Sequence, residues 1–404
     1  MASRISPPAA LLLLPPPPSF TFGRIRSAFE ASVSDALVRT TETLEGTNRI
    51  ATLDIALSIP ELLSPRLRPR AKFFPQLQHY LTGIYTLVGA VATARDLELD
   101  SPGGIDVRVI FLDNISSDSA GSSLSNASFS QFGPILDLQA LASSGRAWDY
   151  VFYPGHPAGQ ELADSFLSRT PGPSKNQTAS IMQAISSSGD WSVPQPLLVP
   201  DDQLPAVPHY SVAVGGTFDH LHVGHKLLLT ATALALEPLT SADPGRKRVL
   251  TIGVTGDAML ARKQYAEFLE TWEERFQSTA NFLSAIMDFA PDNAPRIQRT
   301  STADGHGCVV IVNIQPNLTL KFVEFFDVCG PTVTDEHISA LVLSKETRAG
   351  GATVNDERAK KHWPPLVIFE VDVLQSSEAT DVNSFEAKIS STDIRRRRMN
   401  MAKV

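Results

Sequence analysis

Between Val212 and His225 the chain reads VAVGGTFDHLHVGH, which sets three histidines, an aspartate, a threonine and two adjacent glycines directly behind a short apolar run. Gly215 and Gly216 carry no Cβ, so a strand ending there can turn sharply and let a ligand approach its backbone; Gly224 does the same at the start of the helix expected near Val223. The free N–H groups of that first helical turn, with the positive end of the dipole, form an anion site. His222 and His225 lie three apart and share one face of such a turn. Two imidazoles above a helix N-terminus suit a phosphoryl group whose charge grows during transfer. A zinc site of His220, His222 and His225 competes with this reading, but His220 would point away from the helical pair and no cysteine lies nearby to complete the set.

The elements that must position these groups can be read from the alternation around them. YSVAVGG is a strand, VGHKLLLTATALALE a helix, KRVLTIGVT a second strand and WEERFQSTANFLSAIMDF an amphipathic helix; CVVIVNI, SALVLS and PLVIFEVDVL supply three more strands. Strands alternating with helices predict a Rossmann-like, doubly wound parallel sheet over residues 207–404, with ligands beyond the carboxyl ends of its strands. Upstream, ALLLLP, ATLDIALS, IDVRVIFLD and WDYVFYPG alternate with helical segments such as Phe74 to Arg95, which predicts an N-terminal α/β domain over residues 1–167. Its prolines Pro15 to Pro18 stand where a phosphate-binding turn would want glycine, so it reads as a degenerate copy or a docking domain. Residues 168–206, rich in serine and proline, read as a linker. Asp292 to Gly307 reads as an insertion between helix and strand.

With 404 residues, a formal net charge of −8 and 43% hydrophobic residues, the chain can bury more than one core and has no global attraction for nucleic acid or anionic lipid. A phosphate ligand would need its own local cradle. Only Cys308 and Cys329 are present, too few for a disulfide framework. The apolar stretch Ala9 to Leu14 is short and bounded by prolines, and reads as a buried strand rather than a signal peptide; no stretch is long enough to span a membrane. The expected location is the cytoplasm, with the nucleus as a second one.

Three motifs now carry a resemblance. GGTFDHLHVGH resembles the His-x-Gly-His motif of the nucleotidylyltransferase superfamily, in the Gly-Gly-Thr-Phe-Asp form of the eukaryotic, fungal-type phosphopantetheine adenylyltransferases. LVLSKETRAGGATVNDER, from Leu341 to Arg358, and KISSTDIR, from Lys388 to Arg395, are similar to two further segments of that family, in the same order. The resemblance implies transfer of AMP from ATP to 4′-phosphopantetheine, giving dephospho-coenzyme A and pyrophosphate, with Mg2+ as the ATP counter-ion and no dedicated metal ligands. It implies catalytic roles for His225, Lys263 and Thr217, with Lys263 and Thr217 on the pantetheine phosphate and Arg358 as a further substrate contact. It assigns ATP contacts to Gly215, Gly216, Phe218, His222, Gly224, Arg348, Ser390, Ser391, Thr392 and Arg395. Asp219 is expected to hold the loop; Trp272 to Arg275 resembles a Tyr-x-Glu-Arg element of the family, with pairing on a helix surface as the equal alternative for Arg275. Two other classes stay open: another nucleotidylyltransferase with a different acceptor pocket, and a coenzyme A pathway scaffold that docks other enzymes of the pathway through the N-terminal domain.

Overall fold

A computed structural model describes residues 7–44, 47–114, 133–172, 179–188, 192–193, 196–203, 207–240, 243, 245–290, 296–301, 307–315, 317–374 and 390–402. In the first half, β1 (Ala9–Leu14), β2 (Ala51–Ser58), β3 (Ile105–Asp113), β4 (Ile135–Asp137), β5 (Tyr150–Pro154) and β6 (Ile181–Ile185) form an all-parallel sheet in the order β4-β3-β2-β1-β5-β6. Helices α1 (Phe22–Glu42), α2 (Phe74–Ala94), α3 (Leu138–Ala142) and α4 (Pro157–Arg169) connect these strands. Leu11 to Leu14 are fully buried in β1, as a strand covered on both faces requires, and the prolines that follow have no N–H with which to extend the ladder. The expected linker is more than a tether. Residues 181–185 within it pair with β5 as an edge strand, and Asp35 of α1 accepts the backbone N–H of Ser186 at 3.0 Å. Serines on both sides had hidden a run of only five residues.

The second half contains β7 (Ser211–Gly216), β8 (Arg248–Thr255), β9 (Arg296–Ser301), β10 (Cys308–Gln315), β11 (Leu318–Phe325), β12 (Ala340–Ser344) and β13 (Val367–Val371), in the order β13-β12-β7-β8-β11-β10-β9. Its helices are α5 (Val223–Ala235), α6 (Asp257–Leu260), α7 (Trp272–Met287), α8 (Arg348–Lys360) and α9 (Ser391–Ala402). The five strands from β13 to β11 are parallel, which gives the expected Rossmann-like doubly wound order. The sheet is mixed rather than wholly parallel, because β10 runs antiparallel to both β11 and β9. Residues 296–301 of the expected insertion therefore form the sheet's edge strand, while 292–295 and 302–306 lie outside the described residues.

The register locates the crevice. β12 pairs with β7 only as far as Val342 opposite Val214; β7 then continues beside β8 to Gly216, and β12 beside β13 to Ser344. The two backbones part at their carboxyl ends, the switch point where doubly wound sheets bind ligands. Helix α5 leaves from this point. It is buried nearly all round, because it packs on β7 and β12 of its own sheet and against α2 and β3 of the first half. One continuous hydrophobic core joins the two halves. Among the described residues, no helix is long and apolar enough to cross a membrane.

Candidate active site at the β7–α5 junction

His222 is the N-cap of α5, and its Nδ1 accepts the N–H of Gly224 at 3.2 Å. That bond fixes the tautomer, since the proton must sit on Nε2. Nε2 then donates to Ser391 Oγ at 3.2 Å, and Ser391 Oγ donates to the carbonyl of Asp219 at 2.8 Å. The His225 ring stacks on His222 with centroids 3.9 Å apart and meets the edge of Phe218 at 5.5 Å. Burial pushes both imidazoles down. His225 falls to about 3, with Glu270 opposing and Lys263 and His220 adding to the shift; His222 is well below its ordinary value, helped by His225, Lys226 and His220. Both rings are neutral near pH 7, and a neutral imidazole keeps one N–H: that of His222 is committed to Ser391, which leaves the N–H of His225 to serve an anion.

The loop from Thr217 to Leu221 is held in a costly shape. Phe218 and His220 adopt the left-handed backbone region with φ of 53° and 46°, which for side chains of this size persists only where the surroundings enforce it. The enforcing groups are buried ions. Asp219 accepts the N–H of Glu270 at 2.9 Å and pairs with Arg395; Glu270 accepts the N–H of His220 at 2.7 Å and lies 3.2 Å from His220 Nδ1, whose other nitrogen lies 2.9 Å from the Phe268 carbonyl. Arg275, fully buried, donates to the carbonyls of Glu270, Thr217 and Thr255 and to Asp257. One guanidinium thus ties the ends of β7 and β8 to the start of α7, which a Thr271–Glu274 capping box fixes. Asp219, His220 and Glu270 offer donor atoms within 4.8 Å of one another, but Arg395 already neutralises Asp219. His220 also faces Glu270 and Phe268 rather than the stacked pair, so the structure does not assemble the three-histidine site.

The expected site residues separate into two groups. Gly215, Thr217, His222, Gly224, His225, Ser390, Ser391 and Thr392 come together around the N-termini of α5 and α9, and Lys263 is exposed close enough for its charge to depress His225. Arg348 stands exposed at the start of α8, paired with Glu370 of β13. The remaining assignments need correction. Phe218 is fully buried, and Gly216 lacks a Cβ because one there would lie 2.9 Å from the Phe218 ring; its small size serves the protein's own packing, whereas Gly215 faces open space. Arg395 is 2% exposed, with its nitrogens bound to Asp219, the Gln264 carbonyl and Thr392 Oγ1. It is a brace, not a free phosphate clamp. Arg358 is 1% exposed and donates to the carbonyls of Pro364, Thr332, Asp335, Glu336 and Ile338, so it closes the turn around β12 instead of meeting a substrate.

Sequence reasoning undervalued Arg275 and passed over Glu270 and Lys226. A signal existed for two of them: Arg275 falls on the buried stripe of α7 with Thr279, Leu283 and Ile286, and Lys226 on the buried length of α5. A charged residue on an apolar stripe must have a partner.

Residues 1–188 match a family described as a domain of unknown function (DUF8446). An uncharacterized protein of Schizosaccharomyces pombe is 37% identical over 186 residues, covering 45% of this chain and 46% of its own. A phosphopantetheine adenylyltransferase of Pyrobaculum aerophilum is 30% identical over 188 residues, covering 46% of this chain and 90% of its own. The chain belongs to the phosphopantetheine adenylyltransferase family. A Saccharomyces cerevisiae phosphopantetheine adenylyltransferase is 33% identical over 184 residues, covering 46% of this chain and 47% of its own. The archaeal adenylyltransferase is thus matched over most of its length, and the chain spans about half the length of the two yeast relatives it matches.

Proposed function

We propose that the protein transfers AMP from ATP to 4′-phosphopantetheine, releasing pyrophosphate and forming dephospho-coenzyme A. The observation that carries this reading is the stacked, neutral His222–His225 pair at the N-terminus of α5, placed where β7 and β12 part. Family membership supports the same assignment. An oxygen of the pantetheine phosphate attacks the α-phosphorus of ATP, and the bond to the bridging oxygen of pyrophosphate breaks in line. The attacking oxygen is already ionised near neutral pH, so no covalent enzyme intermediate and no general base are needed; the protein positions the reactants and stabilises charge.

His225 supplies a hydrogen bond to the α-phosphate as its charge builds, and His222 orients His225 by stacking while its own nitrogens are committed to Gly224 and Ser391. Thr217 places its hydroxyl on the acceptor phosphate, and Lys263 neutralises that phosphate from the exposed stretch after α6. Gly215 and Gly224 let the nucleotide lie close to backbone, and Ser390 with the first turn of α9 faces the leaving phosphates. Arg348 reaches the nucleotide once a phosphate replaces Glu370 as its partner. Magnesium enters as the counter-ion of ATP, held by phosphates and water; the carboxylates beside the pair, Asp219 and Glu270, are engaged by Arg395 and His220 and fit no metal cage. Pyrophosphate release by the purified chain, with ATP and a panel of phosphorylated acceptors, tests the assignment. Turnover should be confined to 4′-phosphopantetheine, and faster turnover with a nicotinamide nucleotide or a phosphorylated alcohol would replace it.

A further inference from the structure

The residue that follows His225 is a lysine, and it points away from the crevice into the first half of the molecule. Lys226 has a side chain 3% exposed and pairs there with Asp100 and Asp106. Asp106 is shared with Arg108 at 2.6 Å, and Arg108 approaches Asp54 at 3.9 Å. Asp54 in turn binds Arg146 at 3.2 Å and the indole N–H of Trp148 at 2.9 Å. Arg146 leaves the first half again, donating to the carbonyls of Ala285 and Asp288 at the end of α7 and covering the Phe289 ring at 3.6 Å. The chain of charges is balanced, with Asp54, Asp100 and Asp106 against Arg108, Arg146 and Lys226. Burial pushes the Asp100 carboxyl up to about 6 despite Lys226, whereas Lys226 and Arg108 together overcome burial and hold Asp106 down to about 2. A second handle lies nearby, where Glu98 pairs with Arg397 of α9 at 3.2 Å.

We infer that the first half is a positioning element for the nucleotidyl-transfer site, with Asp100 and Asp106 acting through Lys226 to set the rotation and axial position of α5 and so of His222 and His225. The inference rests on the reading of the β7–α5 junction given above. The first half grips the three helices that carry the site: α5 with the imidazoles, α7 with Arg275, and α9 with Ser391 and Arg395. Apolar cover alone would not need these ions, because buried ion pairs add little net stability over well-packed hydrophobic residues; their attested use is to fix one register among several. Asp100 is held for this contact in the left-handed region, φ 60°, by a loop whose Gly104 has no room for a Cβ, which would fall 2.7 Å from the Glu98 carbonyl. Because Lys226 and His225 are adjacent, a slip of the helix at one displaces the other, and a misplacement of about 1 Å costs on the order of 10²-fold in rate. On this reading residues 205–404, although they carry all three motifs, lack the groups that hold Lys226.

The test uses the full chain in three forms: wild type, Asp100→Asn/Asp106→Asn, and the same double variant with Lys226→Met added. Imidazole 15N signals report the His222 tautomer and the environment of His225 without any substrate, pyrophosphate release reports kcat and KM, and urea unfolding reports stability. In the double variant the His222 and His225 signals should shift and kcat should fall by roughly tenfold or more, with KM for ATP changed about twofold at most. Adding Lys226→Met removes the unpaired cation and should recover stability, while the imidazole signals and kcat stay displaced. Imidazole signals that match wild type in the double variant, or signals and kcat that recover together with stability, would overturn the inference. A wild-type chain that releases no pyrophosphate with 4′-phosphopantetheine sinks the proposed reaction instead, and the imidazole signals still decide the positioning role. Should the double variant not fold, Lys226→Arg keeps the charge, moves it by about an ångström and should shift the same signals.

Discussion

The two halves present the same strand order twice. β3-β2-β1-β5-β6 and β11-β8-β7-β12-β13 are both parallel, and in both the first strand parts from its neighbour at the carboxyl end, after Leu12 and Phe152 in one and after Val214 and Val342 in the other. The residues that fill the crevice differ. Behind β1 come four prolines, and α1 begins after Thr21 without a side-chain cap; β7 ends on two glycines and is followed by a strained loop and a histidine that caps α5 and stacks on a second. The shared topology supplies a place for a ligand, and only the residues at the strand-to-helix junction supply the means to bind one.

The sharpest way to break this contrast is His225→Ala, which should lower kcat by roughly 10²–10³-fold while ATP binding changes little, the loss expected of one preorganised donor. Thr21→Ala, the matching truncation at the start of α1, should leave kcat unchanged. Next in size is Lys263→Ala, for which KM for 4′-phosphopantetheine should rise by roughly tenfold, the worth of one charge-assisted contact, and KM for ATP by clearly less. Equal changes in both would remove Lys263 from the acceptor side.

Gly216→Ala should cost about 1–3 kcal/mol in urea unfolding by forcing a methyl group into the Phe218 ring, whereas Gly215→Ala, with open space around it, should cost little. The smallest effect concerns acid. Burial holds the folded His225 down to about 3 from its ordinary 6.5. Unfolded chains take up a proton near 6.5 that the fold refuses, so this contribution to stability is complete above that pH and is lost as pH falls toward 3. Unfolding midpoints at about pH 7 and about pH 5 should differ less in His225→Ala than in wild type; an identical difference would mean that the ring is not buried in solution.

Much of this was legible in the residues. A strand from Ala9 to Leu14, a helix from Val223 and the glycine-histidine junction follow from apolar runs and punctuation that act over a few positions. What escaped was decided over long separations. LTLKFVEF alternates apolar and polar residues, a strand pattern in itself, but its place inside the sheet depends on parallel pairing with β8, far back along the chain. Arg358 and Arg275 look like substrate or surface cations because their actual partners are mostly backbone carbonyls, which leave no mark on composition or spacing, and Arg395 does so because its carboxylate partner, Asp219, is distant in sequence. Lys226 could not be placed before Asp100 and Asp106 were known to face it.

The shared layer of helices between the two sheets has one more consequence. Since α5 packs against α2 and β3 as well as its own sheet, neither half can melt without exposing apolar surface of the other. Denaturant should reveal a single cooperative transition, with a slope set by the surface of both halves together, although each sheet on its own has the size and topology of an independent domain.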